Sequence, residues 1–160
     1  TLLAPQEYDL KDFIMPVDEN ARGSFAESVL IFQGLVFIFD NQIEAAKKHF
    51  QSLLDKTDNP MSQTLSQLYL LQIALLERDH EKAEEYASNR GVKSFLSLKM
   101  ADTQIMQAWY QFLVKKDMVQ TDKAIKIARQ NMVTSRLVRD EKRYYENWLA
   151  ELEKELSEGV

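Results

Sequence analysis

Along most of this chain apolar residues return at steps of three and four, the spacing that lays one stripe along an α-helix. Ser24 with Glu27 three residues later has the form of a capping box, and predicts a first helix running to about Phe39. Asp40-Asn41 is the expected turn. A second helix follows from about Gln42 to Leu54, with Ile43, Ala46, Phe50, Leu53 and Leu54 on one face. Asp58-Asn59-Pro60 closes that pair and opens the next, proline being pre-organised for a first helical turn. Leu68, Leu71, Ala74 and Leu75 line a third helix that ends near Arg78. Asp79-His80 is the next turn, and a short fourth helix from Glu81 to about Asn89 is expected to stop at Gly91.

Phe95, Leu96 and Leu98, within 92–100, fit either a short helix or an apolar plug. A fifth helix is clear from about Asp102 to Lys115, with Ile105, Ala108, Trp109 and Phe112 on one stripe. A sixth runs from about Thr121 to Met132. The seventh, Val138 to Glu155, repeats Tyr145, Trp148, Leu149, Leu152 and Leu156 at three-four spacing. The pattern therefore predicts an all-α chain of about seven helices over residues 24–160. Residues 1–23 read as an irregular segment, broken by Pro5, Pro16 and Arg22-Gly23. Within it Tyr8, Leu10 and Phe13 to Met15 are apolar enough to dock on a neighbouring surface.

The interval Leu30 to Pro60 carries a more specific signal. Gly34 and Phe37, then Ala46, Phe50 and Leu53, alternate small and large residues as two closely crossing antiparallel helices require. This spacing resembles the tetratricopeptide repeat (TPR), a 34-residue helical pair. The resemblance implies a right-handed antiparallel array of about three helix pairs with a C-terminal capping helix. It also implies protein recognition, since the faces of such solenoids bind other proteins. In the second pair Leu71, Ala87 and Arg90 replace Gly34, Phe50 and Leu53, while Ala83 keeps the place of Ala46. Lys116-Asp117 aligns with Arg78-Asp79. Ala124, 41 residues beyond Ala83, puts the third pair out of step. A helical bundle of another kind fits the same periodicity. On either arrangement Leu30, Phe37, Ala46, Phe50, Leu53, Leu71, Ala83, Trp109, Phe112, Ala124 and Leu149 are the expected core.

Composition narrows the picture. With 160 residues and 45% hydrophobic content, the chain can bury one sizeable core. Neither glycine nor proline occurs from Val92 to Glu158, which favours long helices. There is no cysteine, so disulfides and thiolate metal sites are excluded. The most apolar run, Val29 to Phe39, is far short of the about 20 residues a bilayer span needs, and suits a buried helix. The expected location is the cytoplasm, with the chain either whole or a piece of a larger or membrane-anchored protein. The formal charge of −5 is uneven: residues 115–143 hold nine basic and four acidic side chains, and 144–160 hold one basic and five acidic. The basic segment reads as a solvated helix face, or as a surface for an acidic partner. Aromatic residues do not interleave it as a nucleic-acid stacking platform would require, so direct nucleic-acid binding is not expected.

No catalytic pattern stands out, and the chain is expected not to be an enzyme. No Gly-x-Ser-x-Gly elbow or phosphate loop is present. His80-Glu81-x-x-Glu84 places a carboxylate near an imidazole, but a metal site needs three or four convergent ligands. No metal or other cofactor is expected, and His49, between Lys48 and Phe50, reads as surface or packing. The TPR resemblance places Ile31, Leu35, Leu68 and Gln72 on inner faces, where a carboxylate-clamp TPR would carry Lys and Asn. An open inner face would thus be an apolar groove for a protein or peptide segment. Equally, these four residues are core, covered by the segment around Phe13 to Met15. Tyr144 and Trp148, one turn apart, form a partner or homodimer surface if they face outward, and join the core if they face inward. The expected function is a non-catalytic interaction module, a scaffold or regulator. The alternative is a peptide-sensing regulatory domain of a larger regulator.

Overall fold

The computed structural model describes residues 24–135, Leu137 and residues 139–159, with Ser24 described through its backbone alone. The expected N-terminal segment 1–23 and its docking residues lie outside that range. The described residues fold as eight α-helices without a strand: α1 Ser24–Phe39, α2 Ile43–Lys56, α3 Pro60–Leu76, α4 His80–Ala87, α5 Arg90–Leu96, α6 Ala101–Tyr110, α7 Met118–Val133 and α8 Arg139–Glu158. A π-helical turn, Gln111–Lys115, extends α6.

Three antiparallel hairpins, α1–α2, α3–α4 and α6–α7, share one closing device. Asn41, Arg78 and Lys116 take left-handed backbone conformations, and each is followed by the N-cap of the next helix, Gln42, Asp79 or Asp117. From 41 to 78 to 116 the steps are 37 and 38 residues. Asp79 and Asp117 accept from the backbone N–H of Lys82 and Gln120, satisfying donors a helix start leaves orphaned. Asn59 does the same for Met61 and Ser62 ahead of α3.

This register corrects the third pair. α7 begins at Met118, not Thr121, and Thr121 stands four residues past its cap, as Ala46 and Ala83 do past theirs. Thr121 is fully buried because its Oγ1 donates to the Asp117 carbonyl at 2.8 Å. Alignment on Ala124 missed this because a threonine whose hydroxyl is satisfied locally can occupy a small-residue position. The Ser24 side chain of the expected capping box lies outside what is described; Glu27 is buried, and its carboxylate accepts from Thr57 Oγ1 at 2.5 Å and Ser62 Oγ at 2.9 Å. It ties α1 to the α2–α3 junction. Gly91 does not stop α4, which ends at Ala87; it is the second residue of α5. A Cβ there would lie 2.7 Å from the Thr64 side chain, so close approach explains this glycine.

The core has two parts joined across α3, which packs against α1, α2, α4, α5 and α6. In the first part Gly34 meets Phe50: a Cβ on Gly34 would lie under 3.0 Å from three atoms of that ring. Phe50 is itself fully buried, 5.4 Å from Tyr69. Among the expected core residues, Phe37 and Phe112 are only half-buried, edging onto His49 and Trp109. The second part is closed by α8. The Trp148 ring stacks on Trp109 at 5.8 Å, and Trp109 Nε1 donates to the Trp148 carbonyl at 3.1 Å. Tyr145 donates from its hydroxyl to Gln72 Oε1 at 3.1 Å. Phe39 of α1 touches Tyr144 and Tyr145. Arg78 lies 5.4 Å over Trp109 and pairs with Glu155 of α8.

Two consequences are measurable. Gly34→Leu overpacks the α1–α2 crossing and should cost about 1–3 kcal/mol, lowering the melting temperature followed by circular dichroism. An unchanged melting temperature would show that Phe50 yields freely. The second consequence concerns alkali. Burial pushes the Tyr69 and Tyr145 phenols well up and Tyr144 up to about 12. An unfolded tyrosine ionises near about pH 10. The stability held in these neutral phenols is complete below that pH and is lost as pH rises through the folded values. Denaturation midpoints should hold steady up to pH 9 and fall steeply from 10 to 12, with tyrosinate absorbance at 295 nm rising together with helix loss. Full tyrosine ionisation ahead of any loss of helix would contradict it.

Candidate functional site

The inner residues expected to bind a partner do not form an open strip. Ile31 and Leu35 are buried in the first part of the core beside Ile38, Leu70 and Ile73. Leu68 is buried in the second part with Trp109, Tyr145 and Trp148. Gln72 is fully buried and accepts from Tyr145. Tyr144 and Trp148 do not both face outward: Trp148 is buried against Trp109, and Tyr144 is half-buried beside Phe39. The expected cover, Phe13 to Met15, lies outside the described residues. Within them, α8 lays its own aromatic face over Gln72 and Trp109. An apolar stripe and an amphipathic helix in one chain bury each other's surface, and the sequence pattern does not say which pairs form.

An open apolar strip lies elsewhere on α1. This helix has almost no polar side: Glu27 is buried, and Ser24, Ser28 and Gln33 are the remaining polar side chains. A helix apolar on nearly all sides suits neighbours on all sides, and among the described residues α1 packs chiefly on α2, α3 and α8. Phe25, Val29, Phe32 and Val36, at steps of four, three and four, fall on one line. Phe25 is 67% exposed and Phe32 40% exposed. The line runs into a cleft of about 280 Å³ between the end of α1 and the start of α8. Val36, Phe39 and Tyr144 form its apolar wall, and Asp40, Asp140, Arg143 and Asn147 its polar rim. Tyr144 is thus the one expected site residue that reaches open surface. The signal for the rest was already legible as a helix almost without a polar face. Assigning only its inner positions, Ile31 and Leu35, passed over it.

The histidines take structural or solvated places. His49 Nε2 donates to the Leu30 carbonyl at 2.5 Å, and its ring lies between Phe37 and Phe50. His80 is exposed at the start of α4. Among the described residues no three His, Asp or Glu side chains converge as a metal-ligand set, and no helix is long and apolar enough to cross a membrane. A strip of two exposed phenylalanines leading into a tyrosine-walled cleft offers apolar area and a few hydrogen bonds at its rim, the means of holding a partner segment. Comparison of the chain with protein-family models, with curated proteins and with solved structures finds no match.

Proposed function

We propose that this chain is a non-catalytic protein-interaction module, a scaffold or regulator, that holds its partner along α1 and in the adjoining α1–α8 cleft. The observation that carries this reading is the exposure of Phe25 and Phe32 on a helix apolar around its whole circumference. Fully burying one such side chain stabilises a complex by about 1.5–3 kcal/mol. The strip and cleft suit an apolar helix face or peptide segment laid against α1. The TPR resemblance of Leu30 to Pro60 and the repeated hairpin closure support the same class of function. The tandem hairpins would act as the rigid support for that surface.

The test is affinity capture on the intact chain, with and without Phe25→Ser and Phe32→Ser. Both side chains are exposed, so the double variant should keep its helical circular dichroism. Retention of the partner should fall by about tenfold or more, since each 1.4 kcal/mol is a factor of ten. A partner held equally well by both forms would place the binding surface elsewhere.

A further inference from the structure

Two hollows on the other end of the molecule, about 250 and 230 Å³, share Leu96 and Gln107 and make one groove. Its walls come from the end of α4, α5, the 97–100 connection, α6 with its π turn, and α7. Four lysines line it: Lys93, Lys99, Lys115 and Lys123. All four are exposed. The one acidic side chain on these walls is Glu84, and it is already engaged: it accepts from Lys115 Nζ at 3.1 Å and from the Tyr110 hydroxyl at 3.0 Å. Those contacts hold its carboxyl below the usual range, led by the Lys115 bond. Lys93, Lys99 and Lys123 make no ion pair among the described residues. The groove therefore sets four lysines against one carboxylate, with Lys93 acting on Glu84 through its charge alone, in a chain of net charge −5.

The floor is Leu96, buried at the end of α5. Gln107 and Gln111, four residues apart, line the wall, joined by a 3.4 Å bond from Gln111 Nε2 to Gln107 Oε1. The π turn Gln111–Lys115 continues that line to Lys115. Primary amides carry both donors and acceptors, the complement of a peptide backbone. Bases of a single strand stack on open aromatic faces, and none is available here: Tyr110, the aromatic residue on the wall, is buried and has Lys115 Nζ 5.7 Å over its ring.

We infer that this groove receives an extended acidic peptide segment of a partner protein. The lysines draw in the carboxylates and the glutamines meet the main chain. It uses different residues from the α1 strip, so either surface can fail without the other.

The probe is a fluorescein-labelled decamer of glutamate, followed by anisotropy on the full chain. The intact chain should bind it more tightly than a Gly-Ser decamer, and raising salt from about 50 to about 150 mM should weaken binding as exposed charges are screened. The triple reversal K93E/K99E/K123E should weaken it by at least about tenfold. K48Q/K82Q/K126Q removes three exposed lysines outside the groove and should change it by less than about twofold, as exposed ion pairs contribute little one by one. F25S/F32S should leave it unchanged, whatever that variant does to capture through α1. If the reversal loses its helical spectrum, K93Q/K99Q/K123Q takes its place, with at least about a threefold loss expected. Three outcomes overturn the inference: binding no tighter than to the Gly-Ser decamer, an equal loss in the outside-groove variant, or tighter binding of a labelled uridine decamer.

Discussion

The stacking of Trp148 on Trp109 is the contact on which the rest of the molecule leans. Trp109 belongs to the third hairpin and Trp148 to the last helix. Around that stack the Trp109 indole N–H donates to the Trp148 carbonyl, and the Arg78 guanidinium covers the Trp109 ring while pairing with Glu155. Aromatic pairs in this offset geometry contribute beyond the area they bury. The consequence is topological. A row of hairpins would leave its last apolar face open, and here α8 closes it by turning back to reach α3 through Tyr145 and Gln72, and α1 through Phe39. Arg78 in a left-handed conformation fits the same logic: it sits in the hairpin turn from which its guanidinium spans α6 and α8.

Closing the array at one surface leaves the others to function. With Leu68, Gln72 and Trp109 spoken for by α8, the inner face is no longer available as an open groove. Among the described residues, exposed apolar area remains along α1 at Phe25 and Phe32, and an excess of lysine charge remains between α5 and α7. The two surfaces differ in kind. Along α1 the surplus is hydrophobic and unspecific in direction, while the lysine groove is polar, shaped by the π turn and by a single neutralised glutamate. On the proposed reading, one apolar and one basic face would let the chain hold two different segments at once, as a scaffold must.

Much of the helical layout was legible in the residues. Asn59-Pro60 and Asp79 announce helix starts through side chains that cap orphaned N–H groups, and each does so in the structure. Gly34 beside Phe50 was legible as a close crossing because only a missing Cβ admits that ring. The equivalence of Lys116-Asp117 with Arg78-Asp79 was legible as well. What misled were residues with two available roles. Glu27 reads as a local capping partner, and nothing nearby in sequence announces the two hydroxyls that the α2–α3 junction presents to it. Gly91 looks like a helix stop until Thr64 is seen to need the space. Thr121 looks unlike alanine until its hydroxyl bonds one turn back.

The sequence by itself determined seven of the eight helical segments, where the hairpins turn and which stripes are apolar, because periodicity, capping and turn chemistry act within a few residues of chain; α5, Arg90–Leu96, is too short to show a period of its own and fits helix and plug alike. Only the tertiary structure decided which stripe covers which. Ile31, Leu35, Leu68 and Gln72 were recognisable as one-sided apolar or near-apolar positions, but what covers them is set across the chain: Ile31 and Leu35 meet Leu70 and Ile73 of α3, and Leu68 and Gln72 meet α8, more than 70 positions away, as the bond from Tyr145 to Gln72 illustrates. The same holds for the basic residues: their excess between 115 and 143 was countable, yet Lys115 and Lys123 became part of a groove only when Lys93 and Lys99 were folded opposite them. Local rules act along the chain, while burial and charge pairing act across it, and the surfaces of this protein are set by the second kind.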